Sequence, residues 1–318
     1  MNGYEYPGST GLEKEFFTYR SGQYVQQEIT FFHLQNLKQA RITSLTLHNI
    51  YIRYVRMNIS MNKRYMLIVV VCVLVLAVLY YVLYTVHDEK EYPVYDGEEI
   101  LEDSYPYTFV FFGDNRPASG KNQPEVFKTM IQKINHENPL FVIGGGDFVV
   151  EGTPENFEEF EKVSSALNPP LFYVCGNHDD SVYYEQHLGE RVYAFTYKNS
   201  LFVVLDNSKK ILDESQLNFL EEQLKKGFEY TFVCLHVPPI DPEGTYCMLN
   251  PDEFIEIVLK YEVDYVLCSH IHAFYQENIG STIIIISGGG GAPLTRGGFN
   301  HYVIIEVGDN ITYTVVSV

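Results

Sequence analysis

Five short segments of this chain carry side chains able to bind divalent cations: Asp114-Asn115-Arg116, Gly146-Asp147, Gly176-Asn177-His178-Asp179, His236, and His270-Ile271-His272. Carboxylate oxygens, amide oxygens and imidazole nitrogens are the donor types that hard and borderline divalent ions take. One such segment alone says little. Gly-Asp is foremost a turn sequence, and a single histidine at a strand end commonly just hydrogen-bonds its neighbours. His270 and His272, two residues apart, would put both rings on one side of a strand. All five segments follow directly on apolar runs, and that shared placement makes a metal site the better reading.

The runs that must position them are Tyr107–Phe112, Leu140–Ile143, Leu171–Cys175, Tyr230–Leu235 and Asp264–Cys268, each read as a buried strand. Helical patterns alternate with them at Gln123–His136, Pro154–Leu167, Asp213–Lys226 and Pro251–Tyr261. Pro154 and Pro251 sit where a first-turn proline is tolerated, and Gly227 follows the third helix as a cap. Further strands are expected at Val192–Tyr197, Leu201–Leu205, Ile283–Ile286, Tyr302–Val307 and Ile311–Val316. The pattern is α/β with at least two sheets. Loops at the carboxyl ends of strands in such folds converge on ligand sites even when far apart in sequence.

The ordered set Asp114, Gly146-Asp147, Gly176-Asn177-His178-Asp179, His236 and His270-x-His272 resembles the signature of the calcineurin-like metallophosphoesterase superfamily, over residues 105–318. The resemblance implies a four-layer α/β/β/α sandwich of the metallo-dependent phosphatase type with two divalent ions, of Mn, Fe or Zn, at its top. It implies that Asp147 bridges the ions, that Asp114 and His272 complete one site, and that Asn177, His236 and His270 complete the other. His178 would be the catalytic histidine and Asp179 its orienting partner. The expected reaction is hydrolysis of a phosphomonoester, phosphodiester or pyrophosphate. Two ions would neutralise the phosphate oxygens and make a water acidic enough to attack near neutral pH. His178 would protonate the leaving alkoxide.

The chain departs from the pattern at Arg116, which stands where the family's first motif has a histidine ligand. Arginine has donors only and cannot ligate a metal. Its fork suits a phosphate oxygen, which makes it a candidate substrate contact; pairing with a surface carboxylate is the plainer alternative. Val150 stands where a tyrosine substitute ligand would be needed, three residues after Asp147. The missing histidine is the one feature favouring a non-catalytic, protein-binding scaffold. His136, His187 and His301 match no ligand position and read as structural.

Charge divides the chain into three regions. Residues 1–64 hold eight Lys/Arg and four Glu, residues 65–86 no charge, and residues 87–318 the remaining 14 basic and 37 acidic residues. The resulting net of −23 repels polyphosphate backbones and argues against a nucleic-acid partner. Tyr65 to Val86 is apolar throughout. As a helix its 22 residues would reach roughly 33 Å, enough for a hydrocarbon core of about 30 Å, and no small-residue cleavage pattern follows it. Arg53, Arg56, Lys63 and Arg64 precede this run and acidic residues follow it, so the positive-inside rule expects a single-pass protein with a cytoplasmic N-terminal tail, 1–64, and an extracytoplasmic domain. Residues 87–104 are read as an acidic linker. Met61-Asn62-Lys63-Arg64 is itself an ordinary opening for a signal anchor, leaving Met57 or Met61 as alternative starts to Met1. The five cysteines lack paired short spacings and read as structural. The substrate expected from this placement is a phosphorylated small molecule or a lipid-linked phosphoester.

Overall fold

A computed structural model describes residues 63–86, 90–244 and 246–318. The expected N-terminal tail lies, through residue 62, outside the described residues, as do residues 87–89. The chain forms two units, Met1–Thr85 and Val86–Val318. In the first, helix α1 runs over Lys63–Val86. Its described side chains, from Tyr65 to Leu79, are all exposed. Among the described residues no helix is long and apolar enough to cross a membrane, so the expected span over 65–86 is not met there.

The second unit runs β1 (Val94–Asp96), a 3₁₀ turn (Gly97–Glu99), β2 (Tyr107–Phe112), α2 (Glu125–Glu137), β3 (Phe141–Gly144), α3 (Pro154–Ser164), β4 (Leu171–Tyr173) and α4 (Tyr184–His187). It continues through β5 (Tyr193–Tyr197), β6 (Ser200–Val204), α5 (Glu214–Leu224), β7 (Tyr230–Cys234), α6 (Pro251–Lys260), β8 (Tyr265–Cys268), β9 (Phe274–Ile279), β10 (Thr282–Ser287), β11 (His301–Val307) and β12 (Ile311–Ser317). One sheet has the order β1-β5-β6-β7-β8-β10-β9 and the other β12-β11-β2-β3-β4. Strands β6, β7, β8 and β10 run parallel in the first, and β2, β3 and β4 in the second.

Strand alternation builds the layers. In β2, Phe109 and Phe111 face the space between the sheets, while Val110 and Phe112 face α2 and α3. In β6, Phe202 and Val204 face between the sheets, while Leu201 and Val203 face α5 and α6. The helices answer with spaced apolar residues: Phe127, Met130, Ile131 and Ile134 on α2, and Leu217, Leu220 and Leu224 on α5. The result is the α/β/β/α arrangement. Between the sheets, Phe195, Phe202 and Phe232 stack across neighbouring strands with centroids 4.5 and 4.7 Å apart. Phe109 and Phe141 of the other sheet meet Phe202 edge-on at 5.3 and 5.4 Å, the arrangement that aligns positive ring edges with negative faces.

Local signals mark the element ends. Pro154 and Pro251 occupy the first turns of α3 and α6, and Asp213 caps α5 by accepting from the Gln216 N–H at 3.0 Å. The linker reading of 87–104 needs correction. Val94–Asp96 pairs in parallel with Ala194–Thr196 as a sheet edge, and Leu101 is buried with the inter-sheet core. The edge strand β9 (FYQENI) was also not foreseen; its alternation with polar residues reflects a half-exposed edge.

Candidate active site

The sequence places five ligand-bearing segments after strands, and the structure brings them together across the two sheets. Asp114 follows β2, Asp147 lies beyond β3, Asn177 and His178 beyond β4, His236 beyond β7, and His270 and His272 beyond β8. Close backbone approach makes this convergence possible. Gly146 has φ 97°, and a Cβ there would lie 2.7 Å from both the Gly176 N and His236 Nδ1. A Cβ on Gly176 would strike the Asp147 backbone. Asp114, Asp147 and His270 all hold left-handed backbones at φ 57°, 57° and 67°. Such conformations persist in non-glycine residues where surrounding contacts enforce them. His270 is consequently not in a strand with His272. β8 ends at Cys268, and the two rings turn to different partners.

One group of donors forms around Asp114. Its carboxylate is fully buried, Oδ2 accepting from the His270 N–H at 2.7 Å and Oδ1 lying 3.3 Å from His272 Nε2. Ligand atoms of Asp114, Asp147 and His272 all lie within 4.8 Å of one another. The second group centres on His236, whose Nε2 is 3.2 Å from Asn177 Oδ1, 3.3 Å from Asp147 Oδ1 and 3.2 Å from His270 Nδ1. Asp147, 1% exposed, touches both groups.

Carbonyls fix which nitrogen of each ring bears its proton. His236 Nδ1 is 2.8 Å from Gly145 O and His272 Nδ1 2.6 Å from Pro293 O. A carbonyl only accepts, so both rings carry hydrogen on Nδ1 and in the neutral form present a lone pair at Nε2. Those lone pairs face carboxylate and amide oxygens that are themselves acceptors. Acceptors packed at 3.2–3.3 Å repel unless a cation or proton lies among them, and the set therefore fits divalent ions. The titration behaviour agrees. Burial alone would lower His236 and His272, but the Asp147 and Asp114 carboxylates raise both. Burial works against ionisation of Asp114 too, yet the three imidazoles hold it below the ordinary carboxylate range. His270 is driven down to about 3, by burial first and the His236 charge second.

His178 stands beside the donors, half-buried, with its Nε2 3.9 Å from Asp147 Oδ2. Its orienting partner is not Asp179, as expected from their adjacency, but the Val150 carbonyl, 2.8 Å from Nδ1. Asp179 is fully buried and turned away to accept four backbone N–H groups. Its Oδ2 takes those of Asp147 and Gly176 at 2.7 and 2.9 Å, and its Oδ1 those of Phe148 and Val149 at 2.8 and 3.2 Å. It clamps the loop that carries Asp147. Burial and the Asp147 charge push its carboxyl up to about 7, against the pull of those donors. Arg116 points into the site, with Nε 3.4 Å from Asp147 Oδ2 and only 14% of the side chain exposed. The surface-carboxylate alternative is thereby replaced by a contact with the shared carboxylate.

Sequence reasoning missed Asn207, whose buried Oδ1 accepts from the N–H groups of His236 and Val237 at 3.1 and 2.9 Å. Asp206-Asn207 follows β6 with only Leu205 between them, so the strand-end signal used for the other loops applied here as well. His187 pairs with Glu161 at 3.0 Å and His301 is buried near the Gly289 backbone, both outside the donor groups.

The layered fold and an acceptor-lined centre at its strand ends define a metal-dependent phosphoesterase class. The chain belongs to the calcineurin-like phosphoesterase family, whose pattern matches residues 107–274, and it is a hydrolase of phosphoester bonds. It is 24% identical over 181 residues to a 3′,5′-cyclic-nucleotide phosphodiesterase of Nostoc sp., covering 52% of this chain and 68% of that protein. It is 26% identical over 204 residues to a 3′,5′-cyclic adenosine monophosphate phosphodiesterase of Haemophilus influenzae, covering 56% and 73%. Its fold is similar to that of the purple acid phosphatase PPD1 of yellow lupin (Lupinus luteus), with a TM-score of 0.56 at 16% identity, over 68% of this chain and 52% of that one.

The clamp assigned to Asp179 separates from an orienting role by substitution. Asp179→Asn sets an NH₂ group against backbone N–H donors, so urea denaturation should show a loss of about 2 kcal/mol or more. A variant as stable as its parent would return Asp179 to the role of aligning His178.

Proposed function

We propose that the domain hydrolyses phosphorylated small molecules at a centre holding one divalent ion through Asp114, Asp147 and His272 and another through Asp147, Asn177, His236 and His270. The observation carrying this reading is the convergence of lone pairs on His236 Nε2 and His272 Nε2 with carboxylate and amide oxygens at 3.2–3.3 Å. When bound, the ions, of Mn, Fe or Zn, supply neutralisation of the phosphate and a water acidic enough to attack at neutral pH. That same convergence speaks against a non-catalytic scaffold, which has no need to bury mutually repelling acceptors.

The chain's own groups do the remaining work. His178, held through Nδ1 by the Val150 carbonyl, is the general acid: in its imidazolium form the Nε2–H protonates the departing oxygen. Arg116 lies beside Asp147 and offers its terminal N–H groups to a phosphate oxygen. Asp179 and Asn207 act on no substrate atom; they hold the backbone that presents Asp147 and His236.

The names of the two cyclic-nucleotide relatives support a diester as substrate, and monoesters and pyrophosphates are open to the same chemistry. We also propose, on the sequence alone, that the uncharged apolar run Tyr65–Val86 anchors the protein in the cell membrane. With the N-terminus cytoplasmic and the domain extracytoplasmic, a lipid-linked phosphoester would be within reach. The basic residues before this run and the acidic ones after it support that orientation.

Two kinetic signatures and one topological one test these roles. His178→Ala should reduce kcat by about 10²–10⁴-fold on an alkyl phosphoester and much less on a p-nitrophenyl ester, whose leaving group needs little protonation. Equal losses on both would remove His178 as the acid. Arg116→Ala should act mainly on KM; an unchanged KM would mean the guanidinium serves only Asp147. Protease added to intact cells should digest the domain and spare the N-terminal tail, and a protected domain would reverse the orientation.

A further inference from the structure

A guanidinium placed between two loops can hold them in register, and Arg191 has that position. It stands between α4 and β5 with 18% of its side chain exposed. Its Nη1 donates to Asp180 Oδ1 at 2.9 Å, to Asp206 Oδ2 at 3.1 Å and to Cys175 Sγ at 3.2 Å, while Nη2 donates to the Ser181 carbonyl at 2.6 Å. Nε lies 3.7 Å from Glu185 Oε1, and the guanidinium carbon sits 4.8 Å from the centroid of the buried Tyr184 ring. A planar fork with five donors can serve such a set together; an ammonium cannot.

The groups it joins belong to loops of different sheets. Asp180 and Ser181 lie two and three residues beyond His178, in the loop after β4 of the five-stranded sheet. Asp206 lies in the loop after β6 of the seven-stranded sheet, beside Asn207, which accepts from the N–H groups of His236 and Val237. The hydrogen bonds of His178 itself do not make that connection. Its Nδ1 meets Val150 O and its N–H donates to Asp147 Oδ1, both beyond β3 of its own sheet. A general acid must stand within about 3 Å of the oxygen it protonates, and the substrate that carries this oxygen is placed in part by ions on His236. The spacing between the two loops therefore sets the spacing between acid and substrate. Exposed Lys209 also reaches Asp180 from the β6 loop, but at 3.9 Å and with 80% of its side chain in solvent, a pairing that holds little.

We propose that Arg191 is a positioning residue: by holding Asp180 and Ser181 against Asp206, it fixes where the His178 imidazole stands relative to the donor group around His236. It touches no substrate atom and acts on the rate through His178. Neutralising Asp180 and Asp206 would need only a positive charge, which a lysine also supplies; holding both loops at once needs the fork. This rests on the phosphoesterase reading of the same centre and adds to it a residue that aligns the acid.

The experiment compares Arg191→Lys with its parent in the metal-loaded full chain, on an alkyl phosphoester and on a p-nitrophenyl ester. On the alkyl ester kcat should fall about tenfold or more, the size expected when a reacting group is misplaced by a fraction of an ångström, with KM within about twofold of the parent's. On the p-nitrophenyl ester, whose leaving group needs little protonation, the loss should be much smaller. In a His178→Ala background Arg191→Lys should cost less than about twofold more on the alkyl ester, because residues that act as one unit are not additive. Lys209→Ala should leave kcat alone. Equal losses on both esters, losses that multiply in the double variant, or a folded Arg191→Lys with the parent's kcat would each overturn the proposal. Should Arg191→Lys not fold, Asp180→Asn weakens the same tie from the His178 side and is judged by the same outcomes. Nitrogen NMR of the chelator-stripped chain reads the alignment without catalysis. The His178 ring signals, identified by their loss in His178→Ala, should shift in Arg191→Lys, and unmoved signals would also overturn the proposal. A parent that hydrolyses neither ester would sink the phosphoesterase reading and leave the placement of His178 by Arg191 to be judged by the NMR.

Discussion

The fold is arranged around one electrostatic conflict: buried acceptor atoms converge, and the backbone N–H groups that reach them, His270 to Asp114 Oδ2 and His178 to Asp147 Oδ1, leave the facing lone pairs of the two imidazoles unmatched. His236 Nε2, His272 Nε2 and the oxygens of Asp114, Asp147 and Asn177 lie at distances where lone pairs repel. Water would relieve that repulsion in an exposed site, but Asp114, Asp147 and His236 are sealed from solvent. A divalent ion in each group resolves it and turns the conflict into affinity. A proton is the weaker substitute, which is why the carboxylates raise His236 and His272. Metal binding should therefore release protons.

Holding such a centre requires stiffness in the surrounding structure. Mutually repelling groups would drift apart if the loops bearing them were free. The stacked row Phe195, Phe202 and Phe232, met edge-on by Phe109 and Phe141, sets the two sheets against each other. Strands β2 to β4 and β6 to β8 then deliver their carboxyl ends to one place. Above them, Asp179 collects four N–H groups and Asn207 two, which fixes Asp147 and His236 at backbone level. The left-handed conformations of Asp114, Asp147 and His270 are tolerated because these contacts over-determine them.

Much of this was legible in the sequence, for identifiable reasons. Each central strand carries apolar residues on both faces, so its run is continuous and its end abrupt, and the ligand residues stand immediately beyond that end. The pairing of residues across long separations was not legible. Asp179 beside His178 suggested an orienting contact, yet His178 leans on Val150, 28 residues away, and Asp179 turns to the Asp147 loop. Backbone handedness at Asp147 or His270 leaves no mark in residue type. The edge strand Val94–Asp96 was hidden because three residues in an acidic stretch show no period; only pairing with Ala194–Thr196 reveals it. Arg116 could be read as a missing ligand but not as a neighbour of the shared carboxylate.

On this reading the buried acceptors exist to hold two divalent ions. Titrating Mn²⁺ or Zn²⁺ into the chelator-stripped chain, with bound metal counted by elemental analysis and proton release followed by calorimetry in buffers of different ionisation enthalpy, tests it most directly. Saturation should come at about two ions per chain, with release of protons on binding and hydrolysis of bis(p-nitrophenyl) phosphate that returns only with the metal. A stripped chain that binds no divalent ion, or that hydrolyses the ester as well without one, would contradict it.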